Sequence, residues 1–175
     1  AKNIANAKIV IYSSIITNEN AELVEAKRKK LMILKRSDLL ANILNCKKSI
    51  TISGTHGKTT TTSMVANIFE GFMAEPTVIN GGIINNYESN YKIGQGEFII
   101  AEADESDGSF VNLPTNIGVI TNIEPEHMEY YDNNFEKVLE YYRKYIKNIS
   151  DVVVVCLDDI EVRKLYNELK NEVNF

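Results

Sequence analysis

Basic charge is in short supply. Among 175 residues, 19 lysines and arginines stand against 24 aspartates and glutamates, a formal net charge of -5. Nucleic acids and anionic membrane surfaces both reward a basic face, so this balance argues against either partner. Positive charge that meets an anionic substrate must then be local. Cysteine is scarce too: Cys46 and Cys156 lie far apart, fit no metal spacing and each adjoin a hydrophobic stretch. That pattern reads as reduced, half-buried thiols in preference to a disulfide. No apolar run exceeds a few residues, too few for a membrane span, and the opening AKNIANAKIV is too polar for a secretory signal. A cytoplasmic address is expected. Repeats and low-complexity linkers are absent as well. What is present, 44% apolar and 25% charged residues, is ordinary globular composition, long enough for one domain and a fraction of another.

Strand and helix patterns alternate along the chain. The runs Ala7–Tyr12, Leu31–Leu34, Ser49–Ser53, Pro76–Ile79, Glu97–Ala103, Ile117–Asn122 and Val152–Leu157 read as strands. Helices are expected over Ala21–Lys30, with its basic residues at the C-terminal end where the helix dipole favours them, and after Ser37, a candidate N-cap for DLLANIL. Others are expected over Thr59–Met73, Asn134–Lys147 and Asp159–Lys170. Strands apolar on both faces and separated by helices predict an α/β fold: a mostly parallel sheet with helices on both faces. A boundary near Asn45–Lys48 is expected, dividing residues 1–46 from residues 47–175.

Three segments carry chemistry. Gly54-Thr55-His56-Gly57-Lys58-Thr59-Thr60 follows a strand and opens a helix, the setting in which backbone N–H groups and a helix dipole hold phosphate. Lys58 would reach the β- and γ-phosphates and the Thr59 hydroxyl would serve as a Mg²⁺ ligand. The pattern is incomplete, because Ile52 stands where its first glycine belongs. Ala101-Glu102-Ala103-Asp104-Glu105-Ser106-Asp107 leaves the carboxyl end of a buried strand, where open parallel sheets bind ligands. Strand alternation puts Glu102 and Asp104 on one side and Glu105 on the other. Taken alone, this stretch reads equally as a solvated acidic loop; a Mg²⁺-ATP loop elsewhere in the chain favours a cation site. Thr121-Asn122-Ile123-Glu124-Pro125-Glu126-His127 also leaves a buried strand, and His127, one of two histidines, sits among carboxylates that would fix its tautomer. The other, His56, reads as a residue that shapes the loop, and a loop histidine such as His127 is ordinarily just exposed.

Together, GTHGKTTTTSM (Gly54–Met64), AEADESDGSF (Ala101–Phe110) and TNIEPEHMEYY (Thr121–Tyr131) resemble the three signatures of the Mur ligases. The glycine-light loop is the form that family uses. EADESDGSF is most similar to the branch that adds L-alanine to UDP-N-acetylmuramate. A murein-recycling branch tends to have tyrosine where Ser106 stands. Upstream, IVIYSSIITNENAEL (Ile9–Leu23) resembles the end of the family's Rossmann-like UDP-binding domain, and GGIINNY (Gly81–Tyr87) resembles a substrate-side loop.

The resemblance implies a P-loop type central domain, with ATP and Mg²⁺ as cofactors and UDP-N-acetylmuramate and L-alanine as substrates. Gly54, Thr55, His56, Gly57, Lys58, Thr59 and Thr60 would cradle the nucleotide, and Asn122 would help shape its pocket. Thr59 and Glu102 would bind one Mg²⁺ and His127 a second, which makes Lys58, Glu102 and His127 the catalytic set. Ser13, Ser14 and Asn20 lie where the family touches the UDP-sugar. Tyr142 stands where sister ligases carry a carbamylated lysine, as the alanine-adding branch also lacks it. The implied reaction is ATP-driven amide formation through an acyl phosphate, with no covalent enzyme intermediate. The family's C-terminal, amino-acid-recruiting domain has no counterpart here, so the chain is expected to be a fragment that does not turn over alone. Two other readings stand beside this one: the murein-recycling peptide ligase, and a non-catalytic nucleotide-binding module.

Overall fold

The computed structural model describes residues 2–175. They divide into two compact units, one up to Ile43 and one from Leu44 to Phe175. In the first unit, β1 (Ile9–Tyr12) and β2 (Met32–Lys35) pair in parallel, connected through α1 (Ala21–Arg28). Asn20 caps α1 by accepting from the Glu22 and Leu23 amides at 2.9 and 3.3 Å. Helix α2 (Arg36–Leu44) starts at the residue after β2, so Ser37 lies within its first turn and is not the N-cap expected of it.

The second unit is a six-stranded sheet built from β3 (Lys48–Ser53), β4 (Thr77–Ile84), β5 (Ser89–Lys92), β6 (Phe98–Glu102), β7 (Thr115–Ile120) and β8 (Ile149–Val155), in the order β5-β4-β6-β3-β7-β8. All neighbours run parallel except β4 and β5, which form an antiparallel edge pair. The α/β fold with a mostly parallel sheet is the one expected. The short polar strand β5 (SNYK) was not; its four residues give too little periodicity to register. Helices α3 (Lys58–Gly71) and α4 (Phe135–Asn148) connect strands β3 to β4 and β7 to β8, and α5 (Ile160–Leu169) follows β8, with Asn134 and Asp159 as side-chain N-caps of α4 and α5.

Strand β3 corrects one reading. It is buried on both faces, but only one face is apolar. Ile50 and Ile52 join Ala66, Val78, Ile84 and Ile100 in a core cluster, each large aliphatic contributing ~1.5–3 kcal/mol by leaving water. The alternate residues Ser49, Thr51 and Ser53 are buried too. Thr51 hydrogen-bonds the Tyr145 hydroxyl on α4 at 2.5 Å and Thr115 at 2.9 Å, satisfying polar groups that would otherwise be costly to bury. Phe110, Tyr131, Tyr142 and Tyr145 fill the surrounding interior. Cys46 and Cys156 are both exposed, so the expected half-burial does not hold. Among the described residues, no helix is long and apolar enough to cross a membrane.

Candidate functional site

The three signature segments leave the carboxyl ends of β3, β6 and β7, which are adjacent in the sheet. Parallel pairing therefore brings together residues up to 69 positions apart. Gly54 departs from β3 with φ of +136°, and a Cβ there would sit 1.9 Å from the Thr121 hydroxyl oxygen. Only glycine fits. Gly57, at φ +81°, turns the chain into α3, whose first intrahelical bond runs from the Thr61 amide to the Gly57 carbonyl. The amides of Lys58, Thr59 and Thr60 precede that bond and head the helix, the arrangement that receives anions.

Thr55 and His56 behave differently. The Thr55 amide donates to the Asn122 carbonyl at 3.0 Å, and the His56 amide donates to Asn122 Oδ1 at 2.9 Å. Asn122 Nδ2 returns a bond to the His56 carbonyl at 3.0 Å, and the Thr121 hydroxyl donates to the same carbonyl at 2.7 Å. With their N–H groups engaged, Thr55 and His56 hold the loop's shape. Asn122 acts as its clamp. The His56 ring is half exposed, with Nε2 3.7 Å from Glu124 and 3.4 Å from Glu126.

Lys58 folds back over the loop. Its Nζ donates to the carbonyls of Gly54 (2.6 Å) and Thr55 (3.1 Å) and to Glu105 Oε1 (3.2 Å), while Glu105 Oε2 lies 2.9 Å away outside hydrogen-bonding geometry. The pair is deeply placed, with 13% of the lysine side chain and 5% of the glutamate side chain exposed. Burial pushes the Glu105 carboxyl above the ordinary carboxylate range, and Lys58 opposes that shift. The Glu105 carbonyl accepts from the Tyr131 hydroxyl and, at 2.9 Å, from the Gly108 amide. Nearby, the buried hydroxyls of Ser53 and Tyr142 approach each other without reaching hydrogen-bond geometry. Tyr142 packs edge-on to Phe110.

Sequence reasoning assigned no role to Glu105. Strand alternation was carried past Glu102, where β6 ends, and the chain then turns: Asp104 Oδ1 accepts from the Ser106 amide and Asp107 Oδ1 from the Ser109 amide. Its position beside three other carboxylates gave no hint of a lysine partner. The other cluster members are thus distributed between turn-making and pairing.

Glu102 meets the phosphate loop through Thr59. The Thr59 hydroxyl donates to Glu102 Oε2 at 2.9 Å, and the Gly81 amide donates to the same oxygen at 2.9 Å. A Cβ on Gly81 would lie 2.8 to 3.0 Å from the Glu102 carboxylate, so a larger residue there would push that carboxylate aside. The buried Asn80 beside it donates to the Thr59 carbonyl and the Ser63 hydroxyl. A hydroxyl and a carboxylate at the mouth of a phosphate loop form an oxygen donor set suited to Mg²⁺, which keeps several waters and takes substrate phosphates for the rest. His127 is exposed, in left-handed conformation (φ 52°) at the start of a short 3-10 turn, and its ring has no hydrogen bond or ion pair. Among the described residues, no group of three or more His, Cys, Asp or Glu converges as a metal cage. Lys58, Thr59, Glu102 and Asn122 are therefore brought into one site, and His127 stands on its rim-side loop without contacting them. In the first unit, Ser13 and Ser14 lie in the turn after β1, and the Asn20 side-chain oxygen is spent on capping α1.

The Mur ligase middle domain matches residues 52–174, which is more than half of the chain. The chain belongs to the Mur ligase family. It is 45% identical over 173 residues to a UDP-N-acetylmuramate–L-alanine ligase of Agrobacterium fabrum and 44% identical to that of a Chelativorans species, covering 98% of this chain in both cases. It covers 36% and 37% of those relatives, so the chain spans about a third of their length. Among solved structures it is similar to the UDP-N-acetylmuramate–alanine ligase MurC of Thermotoga maritima, with a TM-score of 0.87 and 32% identity over 94% of this chain and 39% of that one. A UDP-N-acetylmuramate:L-alanyl-γ-D-glutamyl-meso-diaminopimelate ligase from Neisseria shares the fold, with a TM-score of 0.79 at 20% identity over 92% of this chain and 55% of that one.

Proposed function

We propose that this chain is the ATP-handling part of a cytoplasmic ligase that joins L-alanine to UDP-N-acetylmuramate in peptidoglycan precursor synthesis. One observation carries the reading: at the carboxyl ends of adjacent parallel strands, Thr59 hydrogen-bonds Glu102 while the neighbouring Lys58 folds over the same loop and pairs with Glu105. The identity to alanine-adding relatives along 98% of the chain supports the choice of substrates.

The chemistry asks two anions to approach. The lactyl carboxylate of UDP-N-acetylmuramate attacks the γ-phosphorus of ATP, the bond to the β,γ-bridging oxygen breaks, and ADP leaves. The alanine amine then attacks the acyl phosphate carbon, and phosphate departs from the tetrahedral adduct. Lys58 is the fixed ammonium that meets the transferring phosphoryl group, and the helix-heading amides of Lys58, Thr59 and Thr60 hold its neighbours in place. Thr59 and Glu102 would hold Mg²⁺, which supplies charge neutralisation across the phosphates. His127 would hold a second ion near the substrate carboxylate.

The test is ADP release by the full product of the gene, requiring both UDP-N-acetylmuramate and L-alanine. Release with L-alanyl-peptide in place of alanine would identify the recycling reaction, and release with neither acceptor would overturn the ligase reading. A Mg²⁺ titration separates the roles. Glu102→Gln and His127→Ala should recover part of their activity at raised Mg²⁺ by mass action. Lys58→Ala should lose on the order of 10²–10³ in rate and recover none of it, because metal cannot replace an aimed ammonium.

A further inference from the structure

The Lys58 ammonium has three N–H donors, and all three are committed: to the Gly54 carbonyl, the Thr55 carbonyl and Glu105 Oε1. Phosphate can be received only if one of these bonds is given up. The three differ in what they leave behind. Gly54 and Thr55 offer neutral carbonyls, and a neutral acceptor left unpaired costs less than an unpaired charge; Thr55 is also part-exposed, beside the exposed His56 and Gly57. Glu105 is a carboxylate with 5% of its side chain exposed, and its second oxygen already lacks a hydrogen-bond donor. Taking the ammonium away would strand a buried charge, the costliest of the three outcomes.

We propose that Glu105 is a positioning residue for phosphoryl transfer: Lys58 exchanges its loop carbonyls for phosphate oxygens while keeping Glu105 as a pivot. The inference rests on the reading of Lys58 as the phosphate-binding lysine. It gives Glu105 two opposed effects. Its charge partly neutralises Lys58 and so weakens ground-state attraction for polyphosphate. Its fixed place aims the ammonium along one direction, which serves the transition state. The pivot is itself anchored, because the Glu105 carbonyl is held by the Tyr131 hydroxyl and the Gly108 amide. Gly108 sits at φ +67°, and a Cβ there would lie 2.4 Å from the Tyr130 ring and 2.6 Å from that of Tyr141, so the turn carrying Glu105 is closely fitted.

The experiment has a ligand-free arm and a ligand arm. In the first, a double-mutant cycle of Lys58→Met and Glu105→Gln is read by thermal unfolding of this chain. Lys58→Met alone should lower the midpoint, and adding Glu105→Gln should restore most of it; additive changes would overturn the pairing. In the second, magnesium tripolyphosphate is titrated into the parent, Glu105→Gln and Glu105→Asp proteins. Glu105→Gln should bind on the order of tenfold more tightly, because a negative charge beside the ammonium is gone, with Glu105→Asp close to the parent. In the full gene product the same Gln substitution should lower KM for ATP and lower kcat, and Asp should restore part of kcat. A merely structural glutamate would lower the apparent kcat with the folded fraction and leave KM and tripolyphosphate affinity unchanged, which would overturn the inference. Coupling in the first arm together with no tripolyphosphate binding by any variant would instead overturn the phosphate reading of Lys58.

Discussion

Two lysine–glutamate pairs flank helix α3, one at each end, and they do different things with the same chemistry. At the N-terminal end, Lys58 and Glu105 are nearly enclosed. Toward the C-terminal end, Lys92 on the edge strand β5 reaches Glu70, which also accepts from the Tyr87 hydroxyl at 2.6 Å; there 37% of the lysine side chain and 27% of the glutamate side chain are exposed. Burial alone would raise the Glu70 carboxyl, but hydrogen bonds from Lys92 and Tyr87 outweigh it and hold the group below its ordinary range. For Glu105 the balance runs the other way, and burial wins over its lysine. The edge pair fastens β5 and the segment after β4 to α3. The enclosed pair stores a charge where an anion is to arrive.

The contrast predicts a graded set of outcomes. Lys58→Met should be the most damaging, at roughly 3–5 kcal/mol, because it orphans a buried carboxylate; urea unfolding measures it, and a loss under 1 kcal/mol would mean Glu105 is effectively solvated or neutral. Tyr131→Phe comes next, at about 1–2 kcal/mol for one lost buried bond to the Glu105 carbonyl. Its distinguishing effect should be a loosened amide at Gly108 in hydrogen exchange. Glu70→Gln should cost about 0.5–1 kcal/mol at neutral pH, since a part-exposed pair is screened.

The pH dependence of Glu70 sharpens the comparison. Its folded pKa lies below the unfolded value, so its contribution is present above the ordinary value of 4.5 and is lost as pH falls through the folded pKa. Parent and Glu70→Gln stabilities should converge under acid conditions, and curves that stay parallel there would refute the assignment. The smallest effect is ionic: molar salt should erase most of the difference between parent and Glu70→Gln, while the Lys58–Glu105 coupling persists.

Much of this was legible in the residues. The seven strand runs and the phosphate loop, acidic segment and histidine-bearing loop all follow from hydrophobic pattern and glycine placement, and adjacency of the three loops follows from parallel connectivity. Less legible was whatever depends on which side chain a turn delivers. Glu105 reads as one more acid in a cluster until the chain is seen to leave strand geometry after Glu102 and bury it against Lys58. The polar face of β3 was missed for a related reason: Ser49, Thr51 and Ser53 look like solvent-facing alternation, and only α4, arriving from nearly a hundred residues away, supplies Tyr145 as the partner of Thr51. Ser37 was misread because a capping residue type is no evidence of a cap when the preceding strand runs straight into the helix.

The clamp on the phosphate loop has a consequence for how the molecule comes into being. Thr55 and His56 are held by Thr121, Asn122 and Glu124, partners 65 to 69 positions downstream, and hardly at all by their own neighbours. A chain emerging from synthesis with β3 and α3 complete would still have a shapeless loop, since closing so long a span must precede the bonds that reward it. The amides of Thr55 and His56 should therefore gain protection only when β7 docks beside β3. Their exchange rates should track opening of the whole sheet in place of local fraying. The nucleotide site is in this sense a late reporter: when its loop is ordered, the centre of the sheet has already formed.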